Sequence, residues 1–387
     1  MVKINFKLVE VLLLLFLVIS IDSYALKCDK KYPVQNKTKS SNSIKNYKED
    51  CIKQTMKKVF LWQRNNPLAV NDVKEQWARS VFYSGIMYAY QATGDTSYVN
   101  KTIKWGENNK WKRGKRFRYA DDLACGQAYL QAYSVTNNPL QLRGIKETID
   151  SLISEPRLGR KEWWWCDALF MEPPVLSQLG KLTKDNTYFN YLNQMYWDSS
   201  DYLYSKTDSL YFRDSRYFNT KTKSGKKTFW SRGNAWVLSG LVQILSHMPK
   251  EQSSYRRFEE HYKEIMIKVA SLQQPDGLWR ASLLDPDEIP CKETSGSALY
   301  TFSMAWGINN GVLNKSLYLP KVLKAWNALI ESVTPIGQLQ YVQQIGEKPE
   351  NVKADDYQEY GSGAFLMAGS EMIQLIKPYK QRKTSGK

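Results

Sequence analysis

A chain of 387 residues with 42% hydrophobic side chains is long enough for one large or two ordinary domains around a sizeable core, which excludes a disordered chain. Its formal charge of +17 draws polyanions, and charge alone leaves nucleic acid, membrane surfaces and acidic polysaccharides as candidate partners. Only two histidines, His247 and His261, are present, a scarcity that argues against a histidine-built zinc site or a Ser-His-Asp triad and leaves chemistry to carboxylates, tyrosines and arginines.

The N-terminus reads as an export signal over residues 1–25: Lys3 and Lys7 form a basic start, Val11 to Ile21 an apolar stretch, and Ser23 and Ala25 a small-residue cleavage site. That stretch is short for a membrane span, and no later segment is apolar for long enough, so an exported protein, periplasmic or secreted, with no span in its mature form is expected. Residues 26–50 read as a linker, 51–380 as the catalytic domain and 381–387 as a basic tail. Cys28 and Cys51 can bridge in an oxidising compartment, whereas Cys125, Cys166 and Cys291 read as buried thiols, since the spacings show no CxxC pair.

From Trp77 onward one pattern recurs, in which a polar or aromatic residue leads through small residues into an apolar helix. It is found at Trp77 to Ala92, Asp122 to Tyr133, Asp167 to Gly180, Asn234 to Leu245, Gly296 to Ile308 and Gly361 to Ile376. Starts about 45 to 65 residues apart leave room for one helical hairpin per repeat. The stretches between them, such as Asn138 to Ser154, Asn186 to Ser200, Gln252 to Gln273 and Leu317 to Ser332, carry charged faces and suit outer partners. The expectation is an all-α (α/α)6 toroid, a single domain, with an open solenoid or two helical domains as alternatives. Leu210 to Phe212 and Leu278 to Trp279 read as strand-like decorations.

In such a toroid the residues just before each inner helix converge on one cavity. At the second repeat stand Asp121 and Asp122, of which one is expected to cap and the other to act; spacing does not decide between them. The third repeat opens with Glu162-Trp163-Trp164-Trp165-Cys166-Asp167, and an acid walled by indoles stays protonated near neutrality, which makes Asp167 the natural proton donor beside its capping role. The fourth offers Trp230, Arg232 and Trp236 in FWSRGNAW, a guanidinium fork suited to a carboxylate or sulfate with flat rings suited to a pyranose; an internal ion pair within a core is the alternative. Thr294 to Ser297 and Asp355 to Gly361 complete the rim and read first as helix caps. No nucleic-acid-binding motif is found, so nucleic acid is not expected as a partner.

Together WWWCDALFMEPP, FWSRGNAWVLSGL, LQQPDGLWRASLLDP, ETSGSALYTFSMAWGINNG and ADDYQEYGSGAFLMAGSE resemble, in order, glycoside hydrolase family 105, the unsaturated rhamnogalacturonyl hydrolases, which are related to the unsaturated glucuronyl hydrolases of family 88. The resemblance runs from about Trp77 to Glu371 and implies an (α/α)6 barrel. It also implies hydration of a vinyl ether: Asp167 protonates C4 of a 4,5-unsaturated uronate, water adds at C5, and the hemiketal opens to release the neighbouring sugar. Asp122 then corresponds to the second active-site aspartate, and Trp165, Trp230, Arg232 and Trp236 to residues lining the sugar and carboxylate subsites; Trp77 and Asp121 are further candidate substrate-binding residues, and Arg213, in a loop that departs from the family, is a candidate for hydroxyl or anion binding. The implied partners are lyase-generated oligosaccharides ending in an unsaturated uronate, next to rhamnose from ulvan or rhamnogalacturonan, and no metal or organic cofactor is implied. One departure concerns the loop between the third and fourth inner helices, where many relatives carry a histidine and this chain has Tyr211-Phe212-Arg213-Asp214-Ser215-Arg216. A polysaccharide lyase, an ordinary inverting glycosidase and a non-catalytic sugar-binding protein are the competing readings.

Overall fold

The computed structural model describes residues 44–68 and 76–377. The expected signal, Cys28 and the basic tail lie outside them. Helices dominate: α1 (Glu49–Asn65), α2 (Gln76–Thr93), α3 (Thr96–Asn108), α4 (Ala120–Leu123), α5 (Cys125–Thr136), α6 (Leu140–Ser154), α7 (Gly159–Glu162), α8 (Ala168–Met171), α9 (Pro173–Thr183), α10 (Asn186–Leu203), α11 (Ser231–His247), α12 (Tyr255–Ser271), α13 (Thr294–Asn309), α14 (Lys315–Glu331) and α15 (Glu359–Ile376). A two-stranded ladder, β1 (Tyr204–Ser205) with β2 (Leu210–Tyr211), pairs antiparallel in the loop after α10. Among the described residues no helix is long and apolar enough to cross a membrane.

The inner helices α2, α5, α9, α11, α13 and α15 each pack on the next, and α15 returns to α2, so the ring is closed. The outer helices α1, α3, α6, α10, α12 and α14 each pack against an inner one. Sequence explains the two layers. Along α13 every residue from Thr294 to Ile308 is buried, as a helix enclosed on all sides requires. By contrast α12 buries Tyr255, Phe258, Tyr262, Ile265, Met266 and Val269, a stripe at helical spacing, and turns its charged residues to water. Asp95, Asp185 and Asn314 start α3, α10 and α14 by accepting a backbone N–H two residues on.

Two expected inner helices are each broken near the rim. Pro173 lacks the N–H that would continue the helix, so α8 stops at Met171 and α9 restarts at Pro173; α4 gives way to α5 at Ala124. The expected linker also contributes to the domain: Tyr47 is buried and its hydroxyl donates to Asn327 Oδ1 at 2.7 Å. An aromatic ring with a satisfied hydroxyl gains more from burial than from solvent.

Candidate active site

At one end of the ring the N-terminal residues of the inner helices meet. Trp77 of α2 stacks on Tyr360 of α15 at 5.1 Å between centroids and meets Trp236 of α11 edge-on at 6.2 Å. Trp236 packs on Phe170 of α8 at 4.6 Å, and Trp165 stacks on Tyr119, the residue before α4, at 4.8 Å. Glu293 caps α13 with its carboxylate, accepting from the backbone N–H groups of Ser295 at 2.9 Å and Gly296 at 2.8 Å, so the expected cap at Thr294 to Ser297 sits one residue earlier.

The acids divide in a way their spacing did not reveal. Asp122 is buried and fully engaged: Arg116 donates to Oδ2 through Nε at 3.0 Å and to Oδ1 through Nη2 at 3.0 Å, and its backbone N–H adds a third bond at 2.5 Å. A carboxylate claimed in this way holds the turn over residues 114–116 and has little left for a substrate. Asp121, by contrast, is half-buried and its carboxyl accepts no hydrogen bond from the described residues. Burial and then the charge of Asp167 push its carboxyl up to about 7. Of the two, Asp121 thus keeps a carboxyl free of hydrogen bonds among the described residues, whereas that of Asp122 is tied to Arg116.

Asp167 is 8% exposed and starts α8 without making any capping hydrogen bond, so its carboxyl remains available. Burial raises its pKa, while the charges of Arg213 and Arg232 pull the other way. Its neighbours are the Arg213 Nε at 3.6 Å and the Cys166 thiol, whose Sγ lies 3.5 Å from Oδ2. Arg213 is fixed by Asp214, with Nη1 to Oδ2 at 2.7 Å, and by the Cys166 N–H, which donates to the Arg213 carbonyl at 2.8 Å. The loop that departs from the expected histidine thus places a guanidinium against Asp167. Its Nε has no hydrogen-bond partner among the described residues, a donor directed at the space beside Asp167.

Arg232 does not present an open fork. It is 1% exposed, with Nη1 donating to the Gln343 carbonyl at 2.7 Å and Nη2 to the Gln344 carbonyl at 2.9 Å, and its guanidinium lies 4.5 Å and 4.8 Å from the ring centres of Trp230 and Tyr360. The Trp230 indole donates to Gln343 Oε1 at 2.9 Å, and the Tyr360 hydroxyl donates to the Gln343 carbonyl. These groups secure the 341–344 segment, so the Arg232 fork expected to meet a carboxylate is occupied by main-chain carbonyls. Trp165, Trp230 and Trp236 are buried at 2%, 2% and 0% exposure and form the floor; the exposed indole at the mouth is Trp164, at 36%.

Four contributors were not singled out from the sequence as site residues. Tyr119 directly precedes the paired aspartates and Trp164 lies inside the triple tryptophan, so both had a signal nearby. Asp214 orients Arg213, and Glu347, 3.6 Å from Arg213 Nη1, comes from a distant loop with no local pattern to mark it.

Comparison with known proteins follows the same lines. The family model for Glycosyl Hydrolase Family 88 matches residues 39–376. An unsaturated 3S-rhamnoglycuronyl hydrolase of Formosa agariphila is 37% identical over 84% of this chain and 91% of its own. A solved family 88 glycosyl hydrolase from Bacteroides vulgatus superposes with a TM-score of 0.79 at 30% identity, covering 85% of this chain and all, 100%, of that one. A solved structure described as a polysaccharide lyase gives a TM-score of 0.78 at 31% identity, over 84% of this chain and 97% of that one. With its closed double ring of helices, its paired acids at one rim and a family model spanning most of its length, the chain belongs to Glycosyl Hydrolase Family 88.

Proposed function

We propose that the chain is an unsaturated uronyl hydrolase that removes a 4,5-unsaturated uronate from the non-reducing end of oligosaccharides left by a lyase, with rhamnose as the neighbouring sugar. The observation that carries this reading is the pair Asp167 and Asp121, two carboxyls with raised pKa, close enough for the charge of one to act on the other, in a member of this family. Asp167 in its neutral form gives its proton to C4 of the enol ether as water attacks C5. The carboxylate so formed takes a proton from that water, which restores the acid. The C5 hemiketal then opens, and the sugar held at C1 departs as an alcohol. Asp121 and Asp167 repel when both are ionised, so the pair keeps one proton up to about pH 7 for Asp167 to deliver, and Arg213 is placed to meet the uronate carboxylate.

The name of the Formosa agariphila relative supports a sulfated, ulvan-type substrate over a pectic one. Export to the periplasm or the medium is part of the same proposal and is supported by the N-terminal sequence.

A lyase reading is favoured by one solved neighbour described in those terms. It needs a base at the rim, and neither histidine serves: His247 ends α11, roughly 24 Å from the rim by helical rise, and His261 lies on outer helix α12, hydrogen-bonded to Tyr211 at 2.6 Å. One assay separates the readings. Conjugated unsaturated uronate absorbs in the ultraviolet, so the chain should make that absorbance fall on lyase-digested ulvan. A rise on intact polymer would establish a lyase, and no change on either would leave only a binding protein.

A further inference from the structure

A groove of about 820 Å³ has Arg216, in the turn after β2, as one of its walls. Arg216 shares two acids with Arg213: it donates to Asp214 through Nε at 2.9 Å and pairs with Glu347 at 2.7 Å, while its guanidinium lies over the exposed Trp164. Arg213 is in turn the residue against Asp167. The groove is thus linked to Asp167 through Arg216, Asp214 and Arg213, and its volume is that of a site for a ligand larger than the single ring that Asp167 protonates.

Its far wall is the hairpin over residues 220–228, where four lysines are sorted by side. Lys226 pairs with Asp285 at 3.7 Å and Lys227 with Asp208 at 2.6 Å, both away from the groove lining. Lys221 and Lys223 line the groove and have no acidic side chain in salt-bridge reach among the described residues. Lys348 joins them from the opposite loop, and Glu288 and Glu350 line the same groove. The hairpin is anchored beneath: Ser224 Oγ donates to Asp285 at 2.7 Å, and the Lys223 N–H donates to Glu288 Oε1 at 3.1 Å. That second bond commits Glu288 to the backbone and places the two unpaired ammonium groups on a fixed support. Tyr217, Ile289 and Pro349 add apolar surface for sugar rings.

We infer that this groove holds the leaving part of the oligosaccharide and that Lys221 and Lys223 select a leaving part carrying an anionic substituent, a sulfate ester or a second carboxylate. The inference rests on the hydrolase reading and deepens it from the reacting ring to the chain beyond it. Ammonium groups without protein partners gain most when a ligand supplies the charge, and they lose most when salt screens it.

The test compares the wild-type protein with the double variant Lys221→Gln, Lys223→Gln on three substrates. In each an unsaturated uronate is joined to neutral rhamnose, to sulfated rhamnose, or to neutral rhamnose extended by a second uronate. The double variant should raise KM about tenfold for the anionic substrates, leave kcat within about twofold, and leave the neutral disaccharide unaltered. Raising salt from about 50 to about 200 mM should reproduce the trend in the wild-type protein. The second and third substrates distinguish a sulfate from a carboxylate as the group recognised. Equal changes on all three substrates, or none, would overturn the inference. If the wild-type protein turns over none of them, the hydrolase reading is what fails, and calorimetric titration with the sulfated oligosaccharide then decides the groove. Binding that the double variant loses would support the groove reading, and binding that it retains would refute it.

Discussion

Asp167 stands out in the sequence as an acid beside three indoles, and the proposed role of proton donor suits its burial and raised pKa. The choice between Asp121 and Asp122 could not be read. Both are acids before the same helix, and what separates them is the fold of residues 114–116, which brings Arg116 onto Asp122 alone. Arg232 illustrates the converse: a cation between indoles looks like a ligand site until the carbonyls of Gln343 and Gln344, more than a hundred positions away, are seen to occupy it. The assignment of Asp121 has a consequence for pH. Its carboxyl loses its proton as pH rises through about 7, and with both acids then ionised nothing remains to protonate C4, so kcat/KM should fall on the alkaline side. Asp121→Asn removes the negative neighbour that favours neutral Asp167, so Asp167 ionises earlier and the alkaline limb should move down by about one pH unit. A pH–rate profile in which the limb does not move would show that the two carboxyls are not coupled.

At the level of elements, the inner helices were legible because small residues and uninterrupted apolar positions mark a helix packed on all sides. Their breaks were harder to place. Pro173-Pro174 signals one interruption, whereas the change from α4 to α5 carries no proline or glycine at Ala124. Closure of the ring depends on a contact that sequence only hints at. A Cβ on Gly363 of α15 would fall 2.5 Å from the Val81 carbonyl oxygen of α2, and one on Gly85 would fall 2.3 Å from the Gly363 carbonyl oxygen. Both obstacles are backbone and neither can rotate away, so Gly363→Ala should force α2 and α15 apart and lower stability by about 3 kcal/mol. Urea unfolding followed by circular dichroism measures this directly, and an unaltered midpoint would mean that the two helices tolerate a wider spacing.

Across the whole molecule, six repeats of one pattern gave the architecture, because each hairpin buries its apolar face only against its neighbours and the series is satisfied when the last meets the first. What the repeats did not announce are the loops between them: the arginine-bearing turn after β2, the segment over residues 341–351 and the lysine hairpin. The first and third lie in the one connection between α10 and α11, and the second comes from the connection between α14 and α15, so no local window of sequence contains the site they build. The central claim remains one proton delivered by one residue, and steady-state turnover of an unsaturated rhamnoglycuronyl disaccharide by Asp167→Asn, followed by its ultraviolet absorbance, tests it most directly. The account predicts that kcat drops by about 100-fold or more while the substrate still binds. Turnover at the wild-type rate would contradict it.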